Sequence, residues 1–137
     1  MTRADKPVAI AAHHGESQPY WDGLQQHRLL IQRCLACGTL RHYPRPVCPS
    51  CYSMQSDWVA SSGLGHIHTW TVTHHAFNEA MRAQLPLTLV TVDLAEGVRM
   101  HAPLRAPAGM VLRIGLPVRL VFEENDGAVL PAFELAG

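Results

Sequence analysis

The chain has 137 residues, 47% hydrophobic and 16% charged, with 11 basic and 11 acidic side chains and a formal charge of +0 at pH 7. That length suits one domain or two very small ones, and the composition excludes a disordered polyelectrolyte and a strongly basic nucleic-acid binder. No apolar run reaches the roughly 18 residues of a membrane helix, so a cytoplasmic protein is the expectation.

The first dozen or so residues are polar or small and show no periodicity, which reads as a loose N-terminal arm. From Ser17 the pattern changes. Ser17 can cap a helix, Pro19 sits in its first turn, and Tyr20, Trp21, Leu24 and His27 recur at helical spacing up to Leu29, predicting a short helix with an aromatic face. Leu29 to Arg33 has strand character and runs into Cys34, after which Pro44, Pro46 and Pro49 exclude a helix up to Cys51. This middle stretch is too small for its own hydrophobic core, so a metal is expected to hold it.

After Gly63-Leu64-Gly65, which reads as a turn, the pattern becomes β. Ile67 to Thr73, Leu87 to Leu94, Val98 to Leu104, Val118 to Glu124 and Val129 to Leu135 alternate or run apolar as strands do, and five strands in this space suit a small barrel. Between the first two lies an insertion, His75 to Pro86, in which Asn78 can cap a turn or two of helix and Phe77, Met81 and Leu85 form a stripe. The stripe packs back on the barrel or docks another chain. The expected organisation is an arm and helix over 1–28, a metal ribbon over 29–58 and a β domain over 59–137.

Cys34-Leu35-Ala36-Cys37 and Cys48-Pro49-Ser50-Cys51 form two C-x2-C knuckles ten residues apart. Two residues between cysteines aim both sulfurs at one point, and the intervening loop returns the chain to supply the second pair. Gly38 can take the positive φ such a turn needs. Cys34, Cys37, Cys48 and Cys51 therefore predict a four-thiolate site for zinc, with iron possible in recombinant material. A closed shell of four protein ligands makes the metal structural and leaves no cysteine as a nucleophile.

No nucleophile elbow, phosphate loop or dinucleotide turn is present. His66 and His68 share a strand face but lack a further ligand at motif spacing. His74 and His75 end the first barrel strand and are candidates for acid or base chemistry at the barrel mouth. Residues 24–58 carry four arginines against one acid, and Arg33, Arg41 and Arg45 offer a basic ribbon surface. Ten of the 11 basic residues are arginine, which favours planar contacts to carboxylate or phosphate.

Taken in order, Tyr20-Trp21-Asp22-Gly23-Leu24, the strand into Cys34, Cys37-Gly38, Pro44 to Cys51, Gly63-Leu64-Gly65, Trp70-Thr71-Val72, Ile114 to Val118 and Leu130-Pro131-Ala132-Phe133 resemble the DUF35 family over about residues 18–135. The resemblance implies a mainly β protein: an N-terminal helix, a rubredoxin-like zinc ribbon, then a five-stranded OB-fold barrel. It also implies an accessory role beside thiolase-like enzymes, acyltransferases, steroid side-chain aldolases or enoyl-CoA hydratases, helping to hold the acyl-CoA. OB barrels bind ligands through one face and the loops after their first and fourth strands. Trp70, His74, Phe77 and Arg82 are accordingly the candidate contacts to partner or acyl-CoA. The alternative function is single-stranded nucleic-acid binding, a use known for both modules.

Overall fold

The computed structural model describes residues 15–137, so the N-terminal arm lies outside the described residues. A single 3-10 turn, Gly15–Ser17, leads into helix α1, Gln18–Gln25. Because that turn feeds it, Ser17 holds the N-cap position in a helical conformation, φ −91° and ψ −5°. The helix stops two turns in, short of the expected Leu29: His27 turns left-handed at φ 57°, and the Arg28 amide bonds back to Gly23 O at 2.9 Å. Gly23 eases this return, since a β-carbon would stand 3.0 Å from both Arg28 O and Leu30 Cγ.

Strands β1 (Leu30–Cys34), β2 (Leu40–Arg41) and β3 (Ser56–Ala60) form an antiparallel sheet in the order β2-β1-β3. Strand β3 has no counterpart in the sequence reading. It pairs with β1 from Leu30↔Ala60 to Cys34↔Ser56, so the ribbon sheet continues past residue 58.

The second unit is a closed five-stranded barrel in the order β4-β5-β6-β8-β7, with β4 Leu64–Thr73, β5 Leu87–Leu94, β6 Arg99–Arg105, β7 Pro117–Asn125 and β8 Ala128–Leu135. All neighbours are antiparallel except β6 and β8, which meet in parallel at Leu104↔Phe133. The close approach of β4 to β5 depends on Gly65: a β-carbon there would lie 2.6 Å from Asp93 O and from Val92 Cγ1. The insertion between β4 and β5 contains the single-turn helix α2, Glu79–Arg82, capped as expected by Asn78 Oδ1, which accepts the Met81 amide at 3.0 Å.

Ile67, Val90, Val92, Met100, Val118 and Phe133 fill the barrel, and the same apolar cluster continues through Tyr20, Leu24, Leu29 and Ile31. Helix and ribbon thus share the barrel's core. Two polar contacts join the same parts. Tyr43 Oη accepts the His101 amide at 3.1 Å, and Glu96 accepts from Ser61 Oγ at 2.7 Å and from the Ser62 amide at 2.9 Å. Burial alone would raise the Glu96 pKa, but those donors outweigh it and hold the carboxyl below its usual range.

Candidate metal centre and barrel-end cavities

The two knuckles carry the same backbone bonds. The Gly38 and Tyr52 amides each donate to the carbonyl of the first cysteine of their knuckle, Cys34 or Cys48, at 2.9 Å. The Cys34 and Cys48 amides each donate five residues ahead, to Thr39 O and Ser53 O, again at 2.9 Å. Equivalent positions also turn left-handed: Gly38, as expected, at φ 79°, and Tyr52 at φ 65°.

This repetition brings the four sulfurs together, with Cys34 to Cys51 at 3.6 Å, Cys37 to Cys48 at 3.7 Å and all four within 4.8 Å of one another. A tetrahedron with metal–sulfur bonds of about 2.3 Å has edges of roughly 3.8 Å, so the arrangement fits a tetrathiolate metal centre. Cys34 and Cys48 are buried while Cys37 and Cys51 face solvent.

The electrostatics agree. The Cys37 amide, with smaller help from Ala36 and neighbouring thiols, brings Cys34 down to about 6. The Cys51 amide lowers Cys48 in the same way. Cys51 is lowered by the Ser53 amide, yet the crowding sulfurs and burial push it up to about 12. Four adjacent sulfurs cannot all be thiolates unaided; a divalent cation held among them would supply the missing positive charge.

The basic ribbon surface expected from Arg33, Arg41 and Arg45 is reduced to Arg45. Arg33 pairs with Asp57 through two bonds of 2.9 and 2.6 Å across the β1–β3 ladder, and that partner holds the Asp57 carboxyl below its usual range. Arg41 is buried: its Nε donates to Gln32 Oε1 at 2.7 Å and its Nη2 to Arg45 O at 2.9 Å. Gln32, 2% exposed, organises this part of the ribbon by also accepting the Arg45 amide at 2.8 Å and donating to Ser56 Oγ at 3.2 Å. Sequence reasoning missed Gln32, although a polar residue at an inward position beside Ile31 was the available signal.

Trp70 is half-buried on the core, whereas His74 and Phe77 are exposed beyond β4 and the Arg82 Nη2 lies 3.4 Å from Glu79 Oε1. The stripe divides: Phe77 is 80% exposed, while Met81 and Leu85 are half-buried. Two cavities lie beside this insertion. One of about 640 Å³ is lined by Met81, Gln84, Leu87, Pro103 and Leu130, with Arg105 and Glu123 at its wall. The other, about 650 Å³, lies between Gln84, Leu87 and the β6–β7 loop with Met110 and Leu112. Arg105 and Glu123, bonded twice at 2.8 Å, stand at the first. His66 and His68 form no second metal cluster among the described residues; His68 Nδ1 lies 3.4 Å from Asp93 Oδ2.

Residues 21–54 match the rubredoxin-like zinc ribbon domain of ChsH2, and residues 58–123 match its C-terminal OB-fold domain. The structure titled Ltp2-ChsH2(DUF35) aldolase superposes with a TM-score of 0.84 and 36% identity, covering 93% of this chain and all (100%) of that chain. The chain belongs to the ChsH2/DUF35 family. A probable enoyl-CoA hydratase alpha subunit of Thermomonospora curvata is 39% identical to this DUF35 chain over 135 residues, 96% of its length. The match spans only 42% of that relative. A DUF35 domain-containing scaffold protein of Methanocaldococcus jannaschii is 28% identical over 116 residues, 80% of this chain and 82% of the relative. Among the described residues, no helix is long and apolar enough to cross a membrane.

Proposed function

We propose that this chain is a non-catalytic accessory subunit that binds a thiolase-like, aldolase or hydratase enzyme and helps it hold an acyl-CoA. The observation that carries this reading is the likeness to the DUF35 chain named with the Ltp2 aldolase, which extends over the whole of that chain. The relatives named as a hydratase alpha subunit and as a scaffold protein point the same way. Cys34, Cys37, Cys48 and Cys51 hold zinc, which supplies cross-linking rather than chemistry, since four protein thiolates close its coordination shell.

The geometry supports a binding role. Phe77, Val111 and Ile114 at one end of the barrel, 80%, 85% and 72% exposed, leave apolar side chains in water beside two cavities. His74, Phe77 and Arg82 sit on the insertion that borders these cavities and contact the partner or the acyl-CoA, with Trp70 anchoring the strand behind them. Arg33 is paired and Arg41 buried, so two of the three ribbon arginines expected to meet phosphate are already engaged, which favours the accessory reading over single-stranded nucleic-acid binding.

The test is capture from the source organism's lysate with the tagged, zinc-loaded full chain at moderate salt, followed by mass spectrometry. Near-stoichiometric recovery of a thiolase-like, aldolase or hydratase protein is expected. Recovery of the chain alone, or with nucleic acid, overturns the reading.

A further inference from the structure

Strand β4 is longer than the neighbours that close the barrel against it. Its outer edge is taken along Leu64–His66 by Pro117–Arg119 of β7. At Ile67 it is taken by the β6–β7 loop: the Ile67 amide donates to Leu116 O at 3.0 Å and the Gly115 amide to Ile67 O at 2.8 Å. From Thr69 to Thr73, β4 pairs only with β5 among the described residues.

The ladder shows which groups are left over. Pro103 of β6 has no N–H and stands opposite Leu89, so Leu89 turns its backbone groups toward Thr71 of β4. Ile67, whose groups point away from β5, gives the same alternation once the bulge between Ile67 and Thr69 is counted. Trp70 and Val72 therefore present their N–H and C=O groups outward. The segment Thr69-Trp70-Thr71-Val72-Thr73 carries no charge and no proline, the usual devices that keep an edge from pairing.

We propose that this edge pairs with the same edge of a second copy of the chain, antiparallel and two-fold symmetric about Thr71. In that register Trp70 exchanges hydrogen bonds with Val72 of the other copy and vice versa, satisfying every outward group of the segment. Side chains meet as Trp with Val on one face and Thr with Thr on the other, both favourable cross-strand pairs. The loop bonded to Ile67 stops the incoming strand where its own β4 ends, so a shifted register either collides there or leaves the edge open. Such self-complementarity is what a two-fold interface requires. The two insertions lie at opposite ends of the joined strands, each beside the other copy's β6–β7 loop, so the dimer and the enzyme partner compete for that end of the barrel, and neither reading depends on the other.

Sedimentation velocity of the zinc-loaded full chain from micromolar to millimolar concentration tests this, with Thr71→Lys and Thr71→Glu as variants. Thr71 is exposed, its backbone faces β5, and its symmetric pairing brings the two side chains close. The parent chain is expected to dimerise, and each variant alone to weaken the dimer about fivefold or more through like charges on the axis. An equimolar mixture of the two variants restores a mixed dimer, seen by native mass spectrometry. Amide exchange at Trp70 and Val72 slows with concentration in the parent chain, a readout that needs no substitution. A parent chain that stays monomeric at millimolar concentration overturns the proposal, as does a dimer indifferent to Thr71→Lys. Charge variants that fail to pair on mixing overturn it too, as does protection of Trp70 and Val72 that appears only when a captured enzyme is added.

Discussion

At Tyr52 the second knuckle asks a bulky side chain to do what Gly38 does in the first. The left-handed region costs a non-glycine residue about 1 kcal/mol or more, and Tyr52 is 78% exposed, so little packing offsets it. Tyr52→Gly should raise stability by about 1 kcal/mol in a denaturant titration of the metal-loaded protein, whereas Gly38→Ala should lower it by a similar amount. The space around Gly38 is open, with nothing within 4 Å of an added β-carbon, so only the backbone conformation opposes that change. The sulfurs behave differently because they act as a set. Cys37→Ser or Cys48→Ser should abolish stoichiometric zinc in elemental analysis and lower the melting temperature, and a variant that keeps its native circular dichroism after losing its metal would show the ribbon stands without it. His42 supplies a pH dependence. Burial, and then the nearby His101, lower its pKa to about 4 from an ordinary 6.5, so the folded chain takes up its proton later than the unfolded one. The associated stability is fully present above pH 6.5 and is lost as pH falls toward 4, by at most about 3 kcal/mol. Urea melts across that window should show the slope, and His42→Phe, which keeps a ring between Tyr20 and Tyr43, should flatten it.

The elements divide by what holds them. The barrel strands are specified by alternation against a common core, and four of the five expected strands lie within a residue or so of their observed limits because each buries one face regardless of its neighbour's identity. Strand β4 begins earlier than its apolar pattern does, since Leu64, 51% exposed, is recruited by backbone pairing to β7 rather than by burial. Strand β3 was invisible for the same reason: Ser56 to Val59 is only half-buried and exists because β1 offers it an edge. Helix α1 ends before Leu29 because the chain turns left-handed at His27, and Leu29 reaches the shared core from beyond that turn rather than from the helix face. The linker between ribbon and barrel is pinned rather than loose. Glu96→Ala should cost about 1 kcal/mol and speed amide exchange at Ser62, since both bonds that tie Ser61 and Ser62 to the β5–β6 turn are lost.

At the scale of the molecule, one apolar cluster passes from α1 and β1 into the barrel, while the four cysteines stand outside that cluster. Chelation of the metal should therefore loosen residues 34–53 and leave β5 and β8 protected, as hydrogen exchange with and without chelator would report. Loss of protection throughout would mean the metal supports the barrel as well. The ion pairs Arg99–Asp93 and Arg119–Glu134 tie neighbouring barrel strands on the outside and Arg105–Glu123 reaches from β6 to β7 across β8, but each is partly solvated and adds little beyond register.

The sequence by itself determined the tetrathiolate spacing, the positive φ at Gly38, the Asn78 cap and the five barrel strands from Ile67 to Leu135, because each depends on contacts within a few residues or on a repeating pattern. Only the tertiary structure decided that Arg41 is buried against Gln32, that β3 completes the ribbon sheet, and that β4, among the described residues, pairs only with β5 beyond Ile67. Those outcomes depend on which strand lies beside which. That choice is made by long-range backbone pairing and shared burial, and no local spacing encodes it.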